Sequence, residues 1–353
     1  MPFERVRFAL VGYGFGGRTF HAPFLADADD CDFAGVVTTS SERRAQVAAD
    51  HPGVRLYDDL DAAVADGVEA VAISTPASTH STLTDAALRL GVHVVCDKPF
   101  ALDAAAAQRS VDLAAGKGRL LSPYQNRRWD SDFRTLRHLV DSGRLGTVAR
   151  FESRFERFKP DPGPKPAGGG TLLDLGSHLV DQAMLLLGAV RNVYAEMTVL
   201  PSGLDDDVFI ALAHLNGARS HLWCSVRQPA PGPRFRVAGS AAAYVVEALL
   251  DGQEDQLRAG ETPKTLGDHW GTEPESRWGY LRRGDVREQV ETLPGAWQTF
   301  YPAFATAVRG DGDVPVAASD AVATARILDA ARQSATTGKV VTPIAGPRPS
   351  TVV

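Results

Sequence analysis

Short apolar runs alternate with helical patterns through the first third of the chain. The runs cover Val6–Val11 and residues 33–37, 68–74, 92–96 and 119–122, with helical patterns between them that include residues 78–90 and 103–115. Strands that alternate with helices in this way are typical of a doubly wound parallel sheet. We therefore predict an α/β domain with a parallel sheet over residues 1–123.

After residue 123 the pattern changes to long strands. Amphipathic helices are predicted over residues 130–142, where Gly143 ends the helix, and over residues 176–187. The strand candidates are residues 148–158, 190–200, 208–215, 218–226 and 235–238. Strands that follow one another without helices favour an antiparallel sheet. Residues 124–353 are therefore predicted to form an α+β domain with a largely antiparallel open sheet.

The strand candidate at residues 208–215 is apolar on both faces. Helices of the same chain are expected to cover only one of them. A partner subunit would bury the other face, so we expect a homodimer or homotetramer assembled through the C-terminal sheet.

One segment, residues 159–170, has a composition that excludes regular structure. Pro160, Pro162, Pro164 and Pro166 precede three consecutive glycines. The segment is either a lid beside the active site or an exposed connection, and the sequence favours neither.

Composition narrows the possible partners. The 353 residues, 44% of them hydrophobic, are enough for two packed domains. The formal net charge is −6 and no basic run is present, so we expect neither nucleic acid nor an anionic membrane as a partner, and expect a small molecule instead. Three widely spaced cysteines fit neither a disulfide framework nor a zinc site. With no signal peptide or membrane-spanning stretch apparent, we expect a cytoplasmic protein without a metal.

The first strand runs directly into a glycine-rich turn, Gly12-Tyr13-Gly14-Phe15-Gly16-Gly17. Gly12 allows a tight turn, Gly14 lets the backbone approach phosphates, and Gly17 lets the next helix pack against the strand. A helix from about Arg18 would point its free N–H groups at the anion. This spacing predicts a Rossmann domain that binds NAD or NADP.

The end of the second strand bears on the choice of cofactor. An acidic residue about twenty positions past the glycines selects NAD, but here Thr38, Thr39, Ser40 and Ser41 occupy that place. Hydroxyls can bind a 2′-phosphate, and Arg43 or Arg44 could supply countercharge. The pattern favours NADP. Alternatively, both arginines are solvated residues on the next helix, beside Glu42, and the protein uses both NAD and NADP.

Three residues are candidates for the chemistry. Lys98 follows a buried strand, at the sheet edge where parallel sheets bind ligands, although a surface lysine in a turn is equally compatible. Asp174 and His178 stand four residues apart and would share one side of a helix. Imidazole can exchange a proton with a hydroxyl near neutral pH, and a carboxylate can orient it. The alternative is a helix cap and a structural histidine.

A polar and aromatic stretch covers residues 124–130 near the domain junction. Its Asn126, Arg127 and Trp129 suit a polyol ligand. A solvated helix start capped by Asp130 explains the same residues.

Taken together, these motifs resemble the Gfo/Idh/MocA oxidoreductase family. The likeness rests on the glycine turn, Thr75-Pro76 with His80, Asp97-Lys98-Pro99, and the stretch from Asp174 to His178. Residues 14–23, 126–133, 233–239 and 251–257 are similar to the scyllo-inositol dehydrogenase branch. Two features depart from the pattern: Asp97 stands where many members have Glu, and residues 159–170 lack the Trp-Arg-Glu-containing stretch usual in that branch.

The resemblance implies a site and a function. Lys98, Asp174 and His178 would be catalytic, and residues 124–353 would bind substrate and mediate oligomerisation. The expected cofactor-binding residues are Gly12, Gly14, Phe15, Gly16, Gly17, Thr38, Thr39, Ser40, Arg43, Thr75, Pro76, His80 and Lys98; the expected substrate-binding residues are Asn126, Arg127, Trp129, Asp174 and His178. The enzyme would interconvert a secondary alcohol and a ketone of a cyclic polyol, with an inositol first. Another sugar, or a non-catalytic nucleotide-sensing regulator on the same fold, are the alternatives.

Overall fold

The computed structural model describes residues 5–159, 170–249 and 252–343. Most of the proline-rich segment singled out above, residues 160–169, lies outside these ranges. Within them, no helix combines the length and the apolar character that crossing a membrane requires.

The first sheet is parallel throughout, as predicted. Its six strands lie in the order β3-β2-β1-β4-β5-β6. They are β1 Val6–Val11, β2 Cys31–Val37, β3 Arg55–Tyr57, β4 Ala70–Ile73, β5 His93–Cys96 and β6 Leu121–Pro123. The order reverses between β1 and β4, so their carboxyl ends open a crevice where such sheets bind ligands.

The second sheet is largely antiparallel, also as predicted. Its eight strands lie in the order β14-β13-β12-β11-β7-β10-β9-β8, with only β7 and β10 parallel among these described strands. They are β7 Val148–Glu156, β8 Val190–Val199, β9 Asp205–His214, β10 Arg219–Ser225, β11 Phe235–Gly239, β12 Ala243–Val246, β13 Tyr280–Arg283 and β14 Val286–Gln289.

Eleven α-helices are present among the described residues. They are α1 Ala22–Asp27, α2 Ser41–Asp50, α3 Leu60–Ala65, α4 His80–Arg89, α5 Ala104–Lys117, α6 Ser131–Asp141, α7 Ser177–Leu187, α8 Gly252–Arg258, α9 Pro263–Leu266, α10 Phe300–Val308 and α11 Ala318–Thr337. Two π-helical turns, Gly17–His21 and Leu172–Gly176, precede α1 and α7.

The C-terminal helices return to the first half of the molecule. Phe300 and Phe304 of α10 pack in the same core as Phe8 of β1. Helix α11 contributes Val322 to the core of the first sheet and Ile327 to the core of the second. The division at residue 123 stays a proposal, and α11 packs the two halves together.

The two faces of the second sheet differ. Along β9, Val208, Ile210 and Leu212 are buried, whereas the alternate side chains, including Phe209, are partly exposed. This agrees with the expectation that helices cover one face only. On the uncovered face Phe209 lies 5.1 Å from Trp223 of β10, and the Arg154 guanidinium lies 3.9 Å from the Trp223 ring.

Candidate active site

The glycine turn has the shape that its sequence predicts. Gly12 has a φ of 94°, and a Cβ there would lie 2.5 Å from the carbonyl oxygen of Ser74. A Cβ on Gly17 would overlap the carbonyl oxygen of Gly12. In contrast, a Cβ on Gly14 would meet no atom within 4 Å. The turn is therefore closed on the protein side and open at Gly14, which fits a dinucleotide whose phosphates approach the backbone there.

Lys98 reaches across to the second half of the chain. It follows β5, and its Nζ donates to Oδ1 of Asp174 at 2.6 Å and to the backbone carbonyl of Asp174 at 3.0 Å. The Lys98–Pro99 peptide bond is cis. These contacts place an ammonium from the first domain beside the second, as the catalytic assignment requires.

Asp174 and His178 lie on consecutive helical segments. Asp174 belongs to the π-helical turn Leu172–Gly176, and His178 to the first turn of α7. Asp174 is therefore not an N-cap: its carboxylate binds Lys98. Buried neighbours such as Leu179 and Val180 anchor α7 in the C-terminal core.

Gln125, rather than Asp174, orients the imidazole of His178. Nδ1 of His178 lies 3.1 Å from Oε1 of Gln125, which can only accept, so Nδ1 carries the proton and Nε2 is an acceptor. Burial, together with the charges of Lys98, Arg127 and Arg234, lowers the pKa of His178 well below its ordinary value. His178 is therefore a neutral base at neutral pH.

A mostly buried carboxylate, that of Asp97, precedes Lys98. Asp97 accepts from the Lys98 backbone N–H at 2.7 Å and from Ser74 Oγ at 2.9 Å, and lies 3.4 Å from His21 Nε2. Burial opposes its charge, but His21, Lys98 and His80 outweigh burial and hold the pKa of Asp97 well below its usual range. Asp97 is thus a fixed negative charge at this edge of the sheet.

The three predicted catalytic residues line one cavity of about 310 Å³, together with Asn126 and Arg127. Phe15 and Gly16 of the glycine turn lie on its wall. The structure therefore brings the three residues predicted to be catalytic, part of the glycine turn and two of the predicted substrate-binding residues to a common space.

Arg127 is held firmly in this wall. Its guanidinium donates to Asp130 at 3.1 Å and to Glu254 at 2.9 Å, and lies 4.6 Å from the ring of Phe155. Asp130 accepts from Arg127 and from Trp297 Nε1, and its side chain makes no cap hydrogen bond to α6.

Two predicted site residues, Trp129 and His80, do not line this cavity. Trp129 packs against Phe300 at the edge of the core, with ring centroids 5.7 Å apart. His80 is 1% exposed, and its ring nitrogens lie 2.8 Å from the carbonyl oxygens of Thr75 and Pro99. It links the segments that follow β4 and β5.

The remaining cofactor candidates lie along the sheet edge. The side-chain hydroxyls of Thr75 and Thr79 are hydrogen-bonded to each other, and Thr75 is followed by the exposed Pro76. Ser40 caps α2, and the neighbouring Thr38 is partly exposed and Thr39 exposed. Arg43 lines a second cavity of about 890 Å³, which borders the glycine turn at Gly14 and Phe15.

Several residues of the site escaped the sequence analysis. Gln125 stands in the polar stretch already noted, but nothing local shows that it binds His178. Glu254 and Arg258 line the cavity of about 310 Å³ although they lie far from the other residues in sequence. The similarity of residues 251–257 to the inositol branch was the only signal that could have found Glu254.

Known proteins match the chain over most of its length. A family model described as "Oxidoreductase family, NAD-binding Rossmann fold" covers residues 6–125, and the GFO/IDH/MocA C-terminal domain covers residues 133–245. The chain is 37% identical to the uncharacterized oxidoreductase YdgJ of Escherichia coli (strain K12), covering 94% of this chain and 97% of that protein.

Two Bacillus subtilis proteins are also similar. The scyllo-inositol 2-dehydrogenase (NADP(+)) IolW of strain 168 is 31% identical, over 94% of each chain. The solved structure of yvaA superimposes with a TM-score of 0.91 at 30% identity, covering 97% of this chain and 99% of that one.

Substitutions at two glycines should affect different properties, stability in one case and cofactor binding in the other. Gly17→Ala should destabilise the protein by about 1–3 kcal/mol, because its methyl group overlaps backbone. Gly14→Ala should change stability by less than about 0.5 kcal/mol yet weaken binding of an NAD-type dinucleotide about tenfold or more, since its methyl group occupies the open side of the turn. Urea unfolding and calorimetric titration measure the two effects. Equal loss of stability in both variants would contradict this account.

His80 should make a pH-dependent contribution to stability. Burial opposes its charge, but the Cys96 thiol, the Asp97 carboxylate and the Pro99 carbonyl favour it and raise the pKa of His80 from 6.5 to about 9. Because the folded-state pKa is the higher one, this stabilisation is complete below pH 6.5 and is lost as the pH rises through about 9.

The advantage of the natural protein over His80→Gln should therefore shrink by roughly 3 kcal/mol between pH 6 and pH 10. Urea titrations at several pH values measure it. His138→Gln, at an exposed position on α6, is the control and should change stability by less than about 0.5 kcal/mol throughout. A pH-independent difference for His80→Gln would mean that folding leaves the pKa of His80 unchanged, and it would contradict this account.

Proposed function

The chain belongs to the Gfo/Idh/MocA family of NAD-binding oxidoreductases, and on that premise we propose that it interconverts a secondary alcohol and a ketone of a cyclic polyol, with an inositol as the favoured substrate. The observation that carries the proposal is the contact of Lys98 with Asp174 in a cavity that also holds His178 and the glycine turn. It combines a cation, a base and a cofactor-binding turn in one place.

Lys98 and His178 would share the reacting oxygen. A bound nicotinamide supplies the acceptor for the hydrogen that leaves the alcohol carbon with its electron pair. Nε2 of the neutral His178 takes the hydroxyl proton, and the Lys98 ammonium donates a hydrogen bond to the same oxygen. Asp174 holds the ammonium in place, and Gln125 fixes the tautomer of the base. In the reverse direction the same groups return the proton.

We favour NADP as the cofactor. The residues at the end of β2 carry hydroxyls, so no carboxylate among Thr38, Thr39 and Ser40 would repel a 2′-phosphate. Arg43 donates to Gln46 at 2.8 Å and lines the cavity of about 890 Å³, where it could approach the phosphate. The name of the related IolW, which includes NADP(+), points the same way.

The cavity suits a small polyol. Its volume of about 310 Å³ is in the range of sites for small molecules. Asn126 offers an amide, and the 31% identical IolW is named a scyllo-inositol 2-dehydrogenase. Another sugar is the alternative within the same chemistry. A non-catalytic regulator is disfavoured because Lys98 and His178 face the cavity.

A substrate panel tests the proposal directly. The purified protein is incubated with scyllo-inositol, myo-inositol and common aldoses, with NADP and with NAD, and reduced nicotinamide is followed by absorbance. We expect turnover of an inositol with a higher kcat/KM for NADP. Turnover of an aldose alone would overturn the substrate assignment, a preference for NAD would overturn the cofactor assignment, and binding without turnover would favour the regulator.

Replacing either catalytic group should reduce turnover. Lys98→Ala removes the cation at the oxygen and His178→Asn removes the base, so each should lower kcat by roughly a hundredfold or more while NADP still binds. Lys117→Ala, at an exposed position near the end of α5, is the matched control. Turnover near that of the natural protein in either variant would refute the assignment.

We also propose that the protein is a homodimer or homotetramer assembled through the uncovered face of the second sheet. Phe209 and Trp223 form a partly exposed aromatic pair there, with Arg154 stacked on the indole. Large apolar side chains on an open sheet are typical of interfaces between subunits.

A charge on this face should separate the subunits. Light scattering should give a multiple of the chain mass for the natural protein at micromolar concentration, and the mass of one chain for Trp223→Glu, since the interface would have to bury a carboxylate in place of the apolar indole. Arg109→Glu, at an exposed position on α5 in the first half of the chain, is the control and should leave the mass unchanged. A natural protein that is monomeric would end the proposal.

A further inference from the structure

Arg258 lies where the two cavities meet. Together with Phe15 it lines both the cavity of about 310 Å³ that holds the catalytic set and the cavity of about 890 Å³ that Arg43 lines. We propose that Arg258, which the second half of the chain contributes, binds the pyrophosphate of the dinucleotide over the glycine turn. This inference rests on the proposed function, since it requires that a dinucleotide binds there.

The backbone that carries Arg258 is fixed against the first domain. Leu257 is 8% exposed and packs in the core that contains Phe24 and Trp270. Gln253 of the same helix donates to the carbonyl of Trp129 at 3.2 Å and accepts from the backbone N–H of Trp297 at 2.8 Å. Helix α8 therefore holds the side chain of Arg258 at a defined place above the turn.

The guanidinium of Arg258 is oriented by Glu254 and Phe15 and still has N–H groups that can bind a ligand. Nε and Nη2 of Arg258 both donate to Oε1 of Glu254, at 3.1 Å and 2.6 Å, and its Cζ lies 4.7 Å from the ring centroid of Phe15. Within the described residues, Nη1 makes no hydrogen bond. The side chain is 47% exposed. Three of the five N–H groups, two of them on Nη1, thus remain for a ligand over the turn.

The charges around Glu254 favour an anion. One carboxylate accepts from Arg258 and, at 2.9 Å, from Arg127. Burial opposes the charge of Glu254, but Arg127, Arg258 and Arg157 lower its pKa, so the carboxylate is ionised and still faces more than one guanidinium. Near the turn, Arg18 is already held by both carboxylate oxygens of Asp50.

A phosphate is the group that this arrangement suits best. Guanidinium donors match phosphate oxygens in geometry and charge, and the turn beneath supplies backbone N–H groups. Phe15 connects the two features, because its backbone belongs to the turn and its ring stacks under Arg258. Arg258 can therefore contact a pyrophosphate on the turn while it stays on Phe15 and Glu254.

Direct titration of the protein with NADP⁺ and with 2′-AMP tests the assignment without turnover. Arg258→Ala should raise the Kd for NADP⁺ about tenfold or more, because charge-assisted hydrogen bonds to the phosphate are lost. It should leave the Kd for 2′-AMP, which lacks the pyrophosphate, within about twofold. Arg258→Lys keeps the positive charge but loses the planar pair of N–H donors of the guanidinium, so its Kd for NADP⁺ should be intermediate.

The matched control is Arg277→Ala. Arg277 belongs to the same half of the chain, is 44% exposed and has its nearest acid, Asp255, at 3.8 Å. It should change the Kd for NADP⁺ less than about twofold. An unchanged Kd in Arg258→Ala, or equal losses in both variants or for both ligands, would overturn the inference. If the natural protein bound no dinucleotide, the proposed function itself would fail.

Discussion

The contact between Lys98 and Asp174 joins the two halves of the protein at the point where the chemistry would occur. Lys98 stands at the carboxyl end of β5, and Asp174 on a π-helical turn of the second half. Either charge alone would be destabilising, because an unpaired ammonium or carboxylate at the wall of a cavity loses solvation without gaining a partner. Paired, each fixes the other, and the cavity with His178 forms around them.

Around that contact the protein holds neighbouring groups in different charge states. Asp97 is kept ionised by His21, Lys98 and His80, whereas burial and nearby cations keep His178 neutral. The difference comes from the charges that surround each group, since both are largely removed from solvent. A cation beside a neutral base is the combination that proton removal from an alcohol needs.

Features encoded locally were predictable from the sequence. The glycine turn and the pair Asp174 and His178 depend on spacing within a few residues, and Lys98 follows from the rule that ligands lie at the carboxyl ends of parallel strands. The edge strand β3 was missed because it has only three residues, of which Arg55 is exposed and Leu56 only partly buried, so no apolar run marks it. Strands β12 to β14, of four residues each, were not predicted either. Helices α10 and α11 were also missed, because they bury side chains on several sides and their apolar residues do not mark a single face.

Side-chain partners that depend on distant residues were not predictable. Gln125 meets His178, 53 residues away, and Glu254 meets Arg127, 127 residues away. His80 shows a related limit of prediction from sequence. Its motif lies beside the cofactor edge, which suggested a ligand contact, but the start of α4 turns the imidazole inward between two backbone carbonyls.

The packing of α11 explains how a contact between two halves can be held to a hydrogen-bond distance. Val322 is buried with the first sheet, and Ile327, little more than one helical turn later, is buried with the second. Ser122 of β6 also donates to the carbonyl of Val316, just before this helix. Separating the halves would expose both cores at once. The relative position of Lys98 and Asp174 is therefore set by apolar packing far from the cavity, and the ion pair reports a geometry that the cores impose.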